Sequence, residues 1–316
     1  MSRVTALSWV VLLTICVIAG QGAAFAQYAN NQEEITFVAE VPLLNCDGTP
    51  CIEARIGEGK PVRLVIDTGD QDSVLDTKAA EAAGIRRASP PAKGMPAGSY
   101  PARIAKLQIG ELTLKDLYVT AMDMTDWIAK NQMPHVAGTL AYTAFKDRIL
   151  QLDFAAHQLR ISDVLTGPAD CGKICAKYSL ITFGKQGPPI VVAEGFEING
   201  KSVTAQIDTM YTGSLLVYNA SIEKLGLGEA AKTAATRQFA YTDGGVTMKE
   251  APAKRESFRG VPLGDGNPKV YFPTPGVHEP DEMFDATVGL ELFVDAIVTL
   301  DFHNGNVFLQ KDKRAR

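Results

Sequence analysis

The sequence contains few of the residues on which metal-dependent and serine hydrolases rely. It has only four histidines among 316 residues, and none of them belongs to an H-E-x-x-H motif. Their scattered positions favour surface or structural roles over metal ligation. A G-x-S-x-G sequence is also missing, which argues against a serine nucleophile on a strand-to-helix turn. The sequence therefore predicts neither a metal site nor a cofactor.

The chain also has fewer basic than acidic residues. The chain has 31 Lys and Arg residues against 36 Asp and Glu residues, for a net charge of -5. Because nucleic-acid binding depends on basic surface, a mildly acidic protein is a poor candidate for it. The composition, with 46% hydrophobic and 21% charged residues, is otherwise that of a folded globular protein of one large or two medium domains.

Long apolar runs are confined to the beginning of the chain. The run "VVLLTICVIAG" lies between Arg3 and the small-x-small sequence Ala24-Phe25-Ala26, which is the layout of a signal peptide over residues 1–26. The run is shorter than the roughly 20 residues that span a bilayer, so an N-terminal membrane anchor is the weaker alternative. We expect a periplasmic or secreted protein with no membrane span after signal cleavage.

The cysteines that follow the predicted signal peptide form two close pairs. They are Cys46 and Cys51 in "CDGTPC", and Cys171 and Cys175 in "CGKIC". Export makes disulfides the first interpretation. Zinc is the alternative, but the two spacings differ and no histidine motif accompanies them. Pairing within each close pair is the simplest arrangement, although the sequence leaves the connectivity open.

The chain contains an internal repeat. Residues 53–75, "EARIGEGKPVRLVIDTGDQDSVL", align without a gap with residues 194–216, "EGFEINGKSVTAQIDTMYTGSLL". Further on, "KAAEAAGI" corresponds to "ASIEKLGL", each a short helix ended by glycine. Because solenoids and propellers need more than two units, duplication of a globular lobe fits better. We predict lobes over residues 35–166 and 178–312, with the boundary inside residues 167–187.

Within each copy the pattern is mostly that of β-strands. Runs rich in Val, Ile, Leu and Phe, such as "ITFVAEVPLL", "RILQLDF" and "AIVTLDF", are bounded by Gly, Pro, Asn and Asp. Helix is predicted only in short segments. The predicted fold is mainly β, with two duplicated lobes and a cleft between them.

In the stretch "VRLVIDTGDQDSVLD" a mostly apolar run ends at Asp67, and a turn containing Gly69 follows. One such turn is explained by an aspartate that caps its own backbone. The repeat adds Asp208, and related lobes would bring the two carboxylates together about a pseudo-twofold axis. Neighbouring carboxylates share a proton. One can then activate water while the other polarises a carbonyl, which is the chemistry of amide hydrolysis.

These residues resemble the aspartic peptidases. "VIDTGDQDSVL" is similar to the retropepsin-like Asp-Thr-Gly motif, and the duplicated chain is similar to the pepsin-like bilobal arrangement. The resemblance implies that Asp67 and Asp208 are the catalytic pair, that Thr68 and Thr209 bond across the lobe junction, and that Gly69 supports the first loop. It also implies a monomeric endopeptidase that needs no cofactor and binds an extended polypeptide, and the leader at residues 1–26 adds export.

The family's other features have counterparts of varying quality. Its apolar-apolar-Gly motif, which packs beneath each catalytic loop, matches Val136-Ala137-Gly138 and, less regularly, Thr287-Val288-Gly289. A flap hairpin is expected over the cleft, and "GMPAGSYPARI" lies in the corresponding interval. Tyr100 is the candidate flap residue.

The second copy departs from the motif. Met210 replaces its glycine, and the third positions after the aspartates are Asp70 and Tyr211. If Asp70 faced the pair, its negative charge would raise the pKa values of both aspartates. Two alternatives therefore stay open. One is a catalytically impaired pepsin-like module that binds peptide or protein, and the other is a scaffold in which Asp67 and Asp208 lie far apart.

Overall fold

The computed structural model describes residues 36–90, 95–162, 175–182, 189–239, 246–275, 277 and 283–311. The predicted signal peptide and Cys171 lie outside these ranges. Within them, no helix is both long and apolar enough to cross a membrane.

Strands form most of the regular structure, and the prediction of a mainly β fold is confirmed. The strands are β1 (Ala39–Pro42), β2 (Leu44–Cys46), β3 (Thr49–Ile56), β4 (Pro61–Ile66), β5 (Val74–Asp76), β6 (Tyr100–Ile109), β7 (Leu112–Met122), β8 (Val136–Leu140), β9 (Ile149–Asp153), β10 (Gln158–Ser162), β11 (Cys175–Thr182), β12 (Pro189–Ile198), β13 (Lys201–Ile207), β14 (Leu215–Val217), β15 (Ala235–Phe239), β16 (Val246–Pro252), β17 (Glu256–Phe258), β18 (Val261–Pro262), β19 (Lys269–Pro273), β20 (Ala286–Val288), β21 (Ala296–Asp301) and β22 (Asn306–Lys311).

The helices are short, as the sequence predicts. They are α1 (Thr77–Ala82), α2 (Thr125–Lys130), α3 (Tyr142–Phe145), α4 (Asn219–Ile222), α5 (Gly228–Thr233) and a 3₁₀ helix (Leu290–Leu292). Asp76 caps α1 by accepting the backbone N–H of Lys78 at 3.1 Å. Gly84 and Gly226 follow α1 and α4 with φ of 67° and 69°, the left-handed conformation in which glycine ends a helix.

The first lobe is built on a seven-stranded sheet of order β2-β3-β4-β8-β5-β7-β6, in which β3 also pairs with β6. β4 runs parallel to β8, with Ile66 opposite Leu140, and β5 runs parallel to β7. β4 becomes fully buried over its last residues, Leu64, Val65 and Ile66. The chain therefore reaches Asp67 from a strand that is covered on both faces.

The second lobe arranges its strands around Asp208 in the same way. Its order is β12-β13-β20-β14-β19-β16-β15, with β13 parallel to β20 and β14 parallel to β19. β13 and β20 thus correspond to β4 and β8, and β14 and β19 to β5 and β7. The internal duplication itself stays a prediction, as do the limits of the two lobes.

A further set of antiparallel strands joins the lobes, in the order β1-β10-β9-β21-β22-β11. β9 of the first lobe pairs with β21 near the end of the chain, and Leu150 lies opposite Leu300. Both leucines are fully buried and belong to one continuous apolar core that includes residues of both lobes. Burial of apolar surface at this junction holds the lobes together.

Two segments add detail to the sequence predictions. The interval 167–187, which is predicted to contain the lobe boundary, includes β11 in its described part, and β11 pairs with β12 and β22. Pairing with strands at both sides outweighs the weak periodicity of its sequence.

A disulfide joins Cys46 to Cys51 across β2 and β3, as expected. Cys175 is also disulfide-bonded, and its predicted partner Cys171 lies outside the described residues.

Candidate active site

The first Asp-Thr loop begins where β4 ends. Asp67 donates its backbone N–H to the carbonyl oxygen of Leu140 at 2.9 Å, which fixes the loop to β8. Its side-chain Oδ1 accepts the backbone N–H groups of Gly69 at 3.1 Å and Asp70 at 3.0 Å. These bonds orient the carboxyl group, which is 8% exposed. The predicted self-capping turn is present.

The second loop repeats this arrangement at the end of β13. Asp208 donates its backbone N–H to the carbonyl of Val288 at 2.9 Å. Its Oδ1 accepts the backbone N–H groups of Met210 at 2.8 Å and Tyr211 at 3.1 Å. The methionine in place of glycine therefore leaves the loop's hydrogen bonding unchanged, because the bond uses only its backbone.

Two threonines hold the loops against each other. The Thr68 hydroxyl donates to the carbonyl of Ile207 at 2.8 Å, and the Thr209 hydroxyl donates to the carbonyl of Ile66 at 2.6 Å. The Thr68 backbone N–H also donates to Thr209 Oγ1 at 3.1 Å, and the Thr209 N–H donates to Thr68 Oγ1 at 3.2 Å. Both threonines are buried, so these bonds fix the register of the two loops.

Glycines beneath and within the loops permit close packing. A Cβ on Gly69 would lie 2.3 Å from the carboxyl carbon of Asp208. A Cβ on Gly138 would lie 2.1 Å from the carbonyl oxygen of Val74, and one on Gly289 would lie 2.2 Å from that of Tyr211. Gly289 thus packs against the second loop, whereas Gly138 packs against β5, the strand that follows the first loop.

Met210 does not mirror Gly69. Its side chain packs on an apolar cluster of the first lobe, which contains the Cys46–Cys51 disulfide, Met133 and Trp127. The two loops therefore have different shapes towards the cleft. The first loop brings the backbone of Gly69 against Asp208. The second loop extends the Met210 thioether onto the apolar cluster of the first lobe.

The two carboxyl groups interact electrostatically. Burial, followed by the negative charges of Asp208 and Asp70, raises the pKa of Asp67 well above its usual value despite its two backbone hydrogen bonds. Burial also raises the pKa of Asp208, and Asp70 adds to the rise. The pair therefore retains a proton at pH values where an exposed aspartate would be ionised. Asp70 has the effect on both pKa values that the sequence predicts.

One cavity of about 260 Å³ contains both carboxyl groups. The scaffold interpretation, which requires the aspartates to be far apart, is therefore wrong. Twelve residues line the cavity: Asp47, Thr49, Asp67, Gly69, Asp70, Trp127, Asn131, Met133, Asp208, Met210, Tyr211 and Thr212.

Five of the twelve lining residues lie far from both Asp-Thr loops and were not identified from the sequence. Asp47 and Thr49 belong to the β2–β3 hairpin, and Trp127, Asn131 and Met133 belong to α2 and the segment after it. None of them lies near an Asp-Thr motif in the chain. The short interval between Cys46 and Cys51 was the one available signal, since a cross-linked turn is a suitable rigid wall.

Tyr100 is not among the lining residues. It begins β6, pairs with Ala121, and has the guanidinium of Arg87 5.1 Å from its ring centroid. Its role as a residue that covers the cleft therefore stays a prediction. Strand pairing and a cation–π contact, neither visible in the local sequence, determine where its ring lies.

Comparisons with known proteins agree with this geometry. Residues 52–140, which contain the Asp67 loop, match a family model described as aspartyl protease. No curated protein matches the chain. The crystal structure of edgp has 13% sequence identity and a TM-score of 0.51, with 88% of this chain and 96% of that chain aligned. The crystal structure of an aspartic proteinase from Irpex lacteus has 11% identity and a TM-score of 0.47, covering 87% of this chain and 97% of that chain.

At 13% identity, the edgp structure shows a shared fold and nothing further. The family match adds sequence similarity over the first lobe. The chain is therefore similar to the aspartic peptidase superfamily, and both the predicted resemblance and the predicted fold class are confirmed.

Proposed function

We propose that this protein is an aspartic endopeptidase, exported by the segment at residues 1–26, that hydrolyses peptide bonds with a water activated by Asp67 and Asp208. One observation supports it above the others. Two carboxyl groups, each positioned by two backbone N–H donors of its own loop, face one cavity with raised pKa values. Two turns with a purely structural role would not require their aspartate side chains to face the same cavity.

The proposed reaction uses one proton held by the pair. The ionised carboxylate removes a proton from water as the water oxygen adds to the peptide carbonyl carbon. The protonated carboxyl gives its proton to the carbonyl oxygen, and the resulting diol breaks its C–N bond as the amine nitrogen gains a proton. Because the two groups titrate together, the ionised state belongs to the pair and not to one residue.

Met210 decides between this proposal and a binding module without catalysis. Loss of chemistry would be favoured if its side chain filled the space between the carboxyl groups. Its packing against Met133, Trp127 and the disulfide supports an open cavity instead. The thioether then forms part of a wall of the cleft.

The test is digestion of an unfolded protein by the purified mature chain between about pH 4 and pH 7, analysed by mass spectrometry. We expect cleavage by the unmodified chain and loss of at least about a hundredfold in rate in Asp67→Asn and Asp208→Asn. Asp72→Asn is the matched control, since Asp72 is exposed and lies outside the cavity lining. Cleavage that survives in both active-site variants would reject the proposal.

A further inference from the structure

The cleft carries a strong negative charge. Four carboxyl groups line it, from Asp47, Asp67, Asp70 and Asp208, and no Lys, Arg or His is among the described lining residues. If Asp67 and Asp208 share a proton, they hold one negative charge together. Asp47 and Asp70 each add another, so a bound substrate meets more charge than the catalytic pair needs.

The charge of Asp70 is not balanced by the protein. Within the described ranges Asp70 forms no ion pair; its side chain accepts the backbone N–H groups of Gln71, at 2.6 Å, and Asp72, and burial raises the pKa of its carboxyl group. Asp116, on the outer surface of the same lobe, is by contrast paired with Arg103. Asp70 is exposed at the edge of the cleft, so a cation that binds beside it gains a modest attraction that salt weakens.

An apolar wall in the same cavity limits which cation fits. Trp127, Met133 and Met210 supply this wall, and they belong to the cluster that contains the Cys46–Cys51 disulfide. Lysine and arginine side chains have an apolar stem and a charged head, so they can contact the wall and a carboxylate together. A small inorganic cation would leave the wall uncovered.

We infer that the cleft selects polypeptides with a lysine or arginine side chain next to the cleaved bond, and that Asp70 determines this preference. The inference rests on the proposed peptidase function and adds a substrate class to it. Asp47 lies in the same cavity and contributes to the attraction from the β2–β3 hairpin.

The experiment compares peptides that differ in one charge. A peptide cleaved in the digest is resynthesised with lysine or with norleucine, which lacks only the ammonium group, at each of the positions flanking the bond. At one position we expect lysine to exceed norleucine in kcat/KM by about tenfold at low salt, and by less at high salt. In Asp70→Asn that ratio should fall at least about fivefold, and in Asp72→Asn it should not change.

Taking the ratio within each variant removes any common effect of Asp70 on the pKa values of the pair. A ratio near one at every position, or an unchanged ratio in Asp70→Asn, would overturn the inference while leaving the peptidase function intact. Arg-containing peptides should behave like those with lysine.

A second measurement covers the case in which no peptide is hydrolysed. Versions of the two peptides with a reduced, uncleavable bond are titrated into the unmodified chain and into Asp70→Asn by calorimetry. Tighter binding of the lysine peptide, lost in Asp70→Asn, would support the charge inference even though the peptidase proposal had failed. Equal binding of both peptides would refute the charge inference.

Discussion

Thr68 and Thr209 each donate a side-chain hydroxyl to a backbone carbonyl on the strand that precedes the other threonine. Each loop is thus held by the opposite lobe as well as by its own. We expect Thr68→Val or Thr209→Val to lower the free energy of unfolding by about 1–3 kcal/mol, because buried backbone acceptors lose their donors. Thr68→Ser retains the hydroxyl, so its free energy of unfolding should remain close to that of the unmodified chain. Urea unfolding measures this.

The same substitutions should affect catalysis more than binding. Loss of register displaces one carboxyl group relative to the other, so kcat should fall further than KM rises. A purely structural role would lower the amount of folded protein and leave kcat per folded molecule unchanged. Active-site titration of each variant separates the two outcomes.

Gly69→Ala and Met210→Gly should have unequal effects. A Cβ on Gly69 would meet the carboxyl carbon of Asp208 at 2.3 Å, so the loop or the carboxylate must move. We expect a loss of about a hundredfold or more in kcat/KM. Met210→Gly removes only a wall of the cleft, and hydrolysis should continue with a changed side-chain preference. Equal losses would show that Met210 positions the pair as Gly69 does.

The raised pKa values of Asp67 and Asp208 predict a pH-dependent stability. The folded chain binds more protons than the unfolded chain, so these groups reduce stability progressively as the pH rises above their unfolded values near about 4. Asp208→Asn keeps the acceptor oxygen for Met210 and Tyr211. We expect it to be more stable than the unmodified chain at pH 7, by about 1–3 kcal/mol, and equal to it at pH 3.

Urea unfolding at several pH values tests this prediction. Glu111→Gln, at the exposed turn between β6 and β7, is a suitable control for loss of a surface carboxylate. A stability difference that does not change with pH would contradict the proposed titration of the pair.

Glu256 is a buried acid outside the cleft, 4% exposed. Burial raises its pKa to about 8, opposed by bonds from the Lys269 N–H and Ser214 and increased by Glu291 and Asp265. The Ser214 hydroxyl itself donates to the Lys269 carbonyl.

Replacement of Glu256 by Gln tests whether it is neutral in the folded chain. Because its folded pKa is raised, its contribution to stability falls as the pH increases from its unfolded value towards 8. In Glu256→Gln the free energy of unfolding should therefore fall less steeply between pH 5 and 8. Cleavage specificity should be unchanged. Denaturation by urea across this range gives the slopes. An unaltered slope would mean that Glu256 is ionised in the fold.

The fold and the aspartate pair could be predicted because their signals are local and occur twice. An apolar strand entering Asp-Thr, followed by a short helix with a glycine stop, is visible in continuous sequence at both copies. The walls of the cleft could not be predicted. Trp127 and Met133 line the cavity because of the way α2 and the segment after it pack. Strand β11, which begins at Cys175, forms because β12 and β22 both pair with it. Such positions depend on tertiary contacts, which a single sequence does not display.

The pairing of β9 with β21 has a consequence for the order in which the molecule is completed. β9 ends at Asp153, whereas β21 ends at Asp301, close to the last described residue. A chain interrupted between Thr209 and Ala296 would contain both aspartates and both threonines, but β9 would lack its neighbour β21 and the first lobe would keep an open sheet edge. The strands that join the lobes are therefore complete only when the last part of the described chain is present.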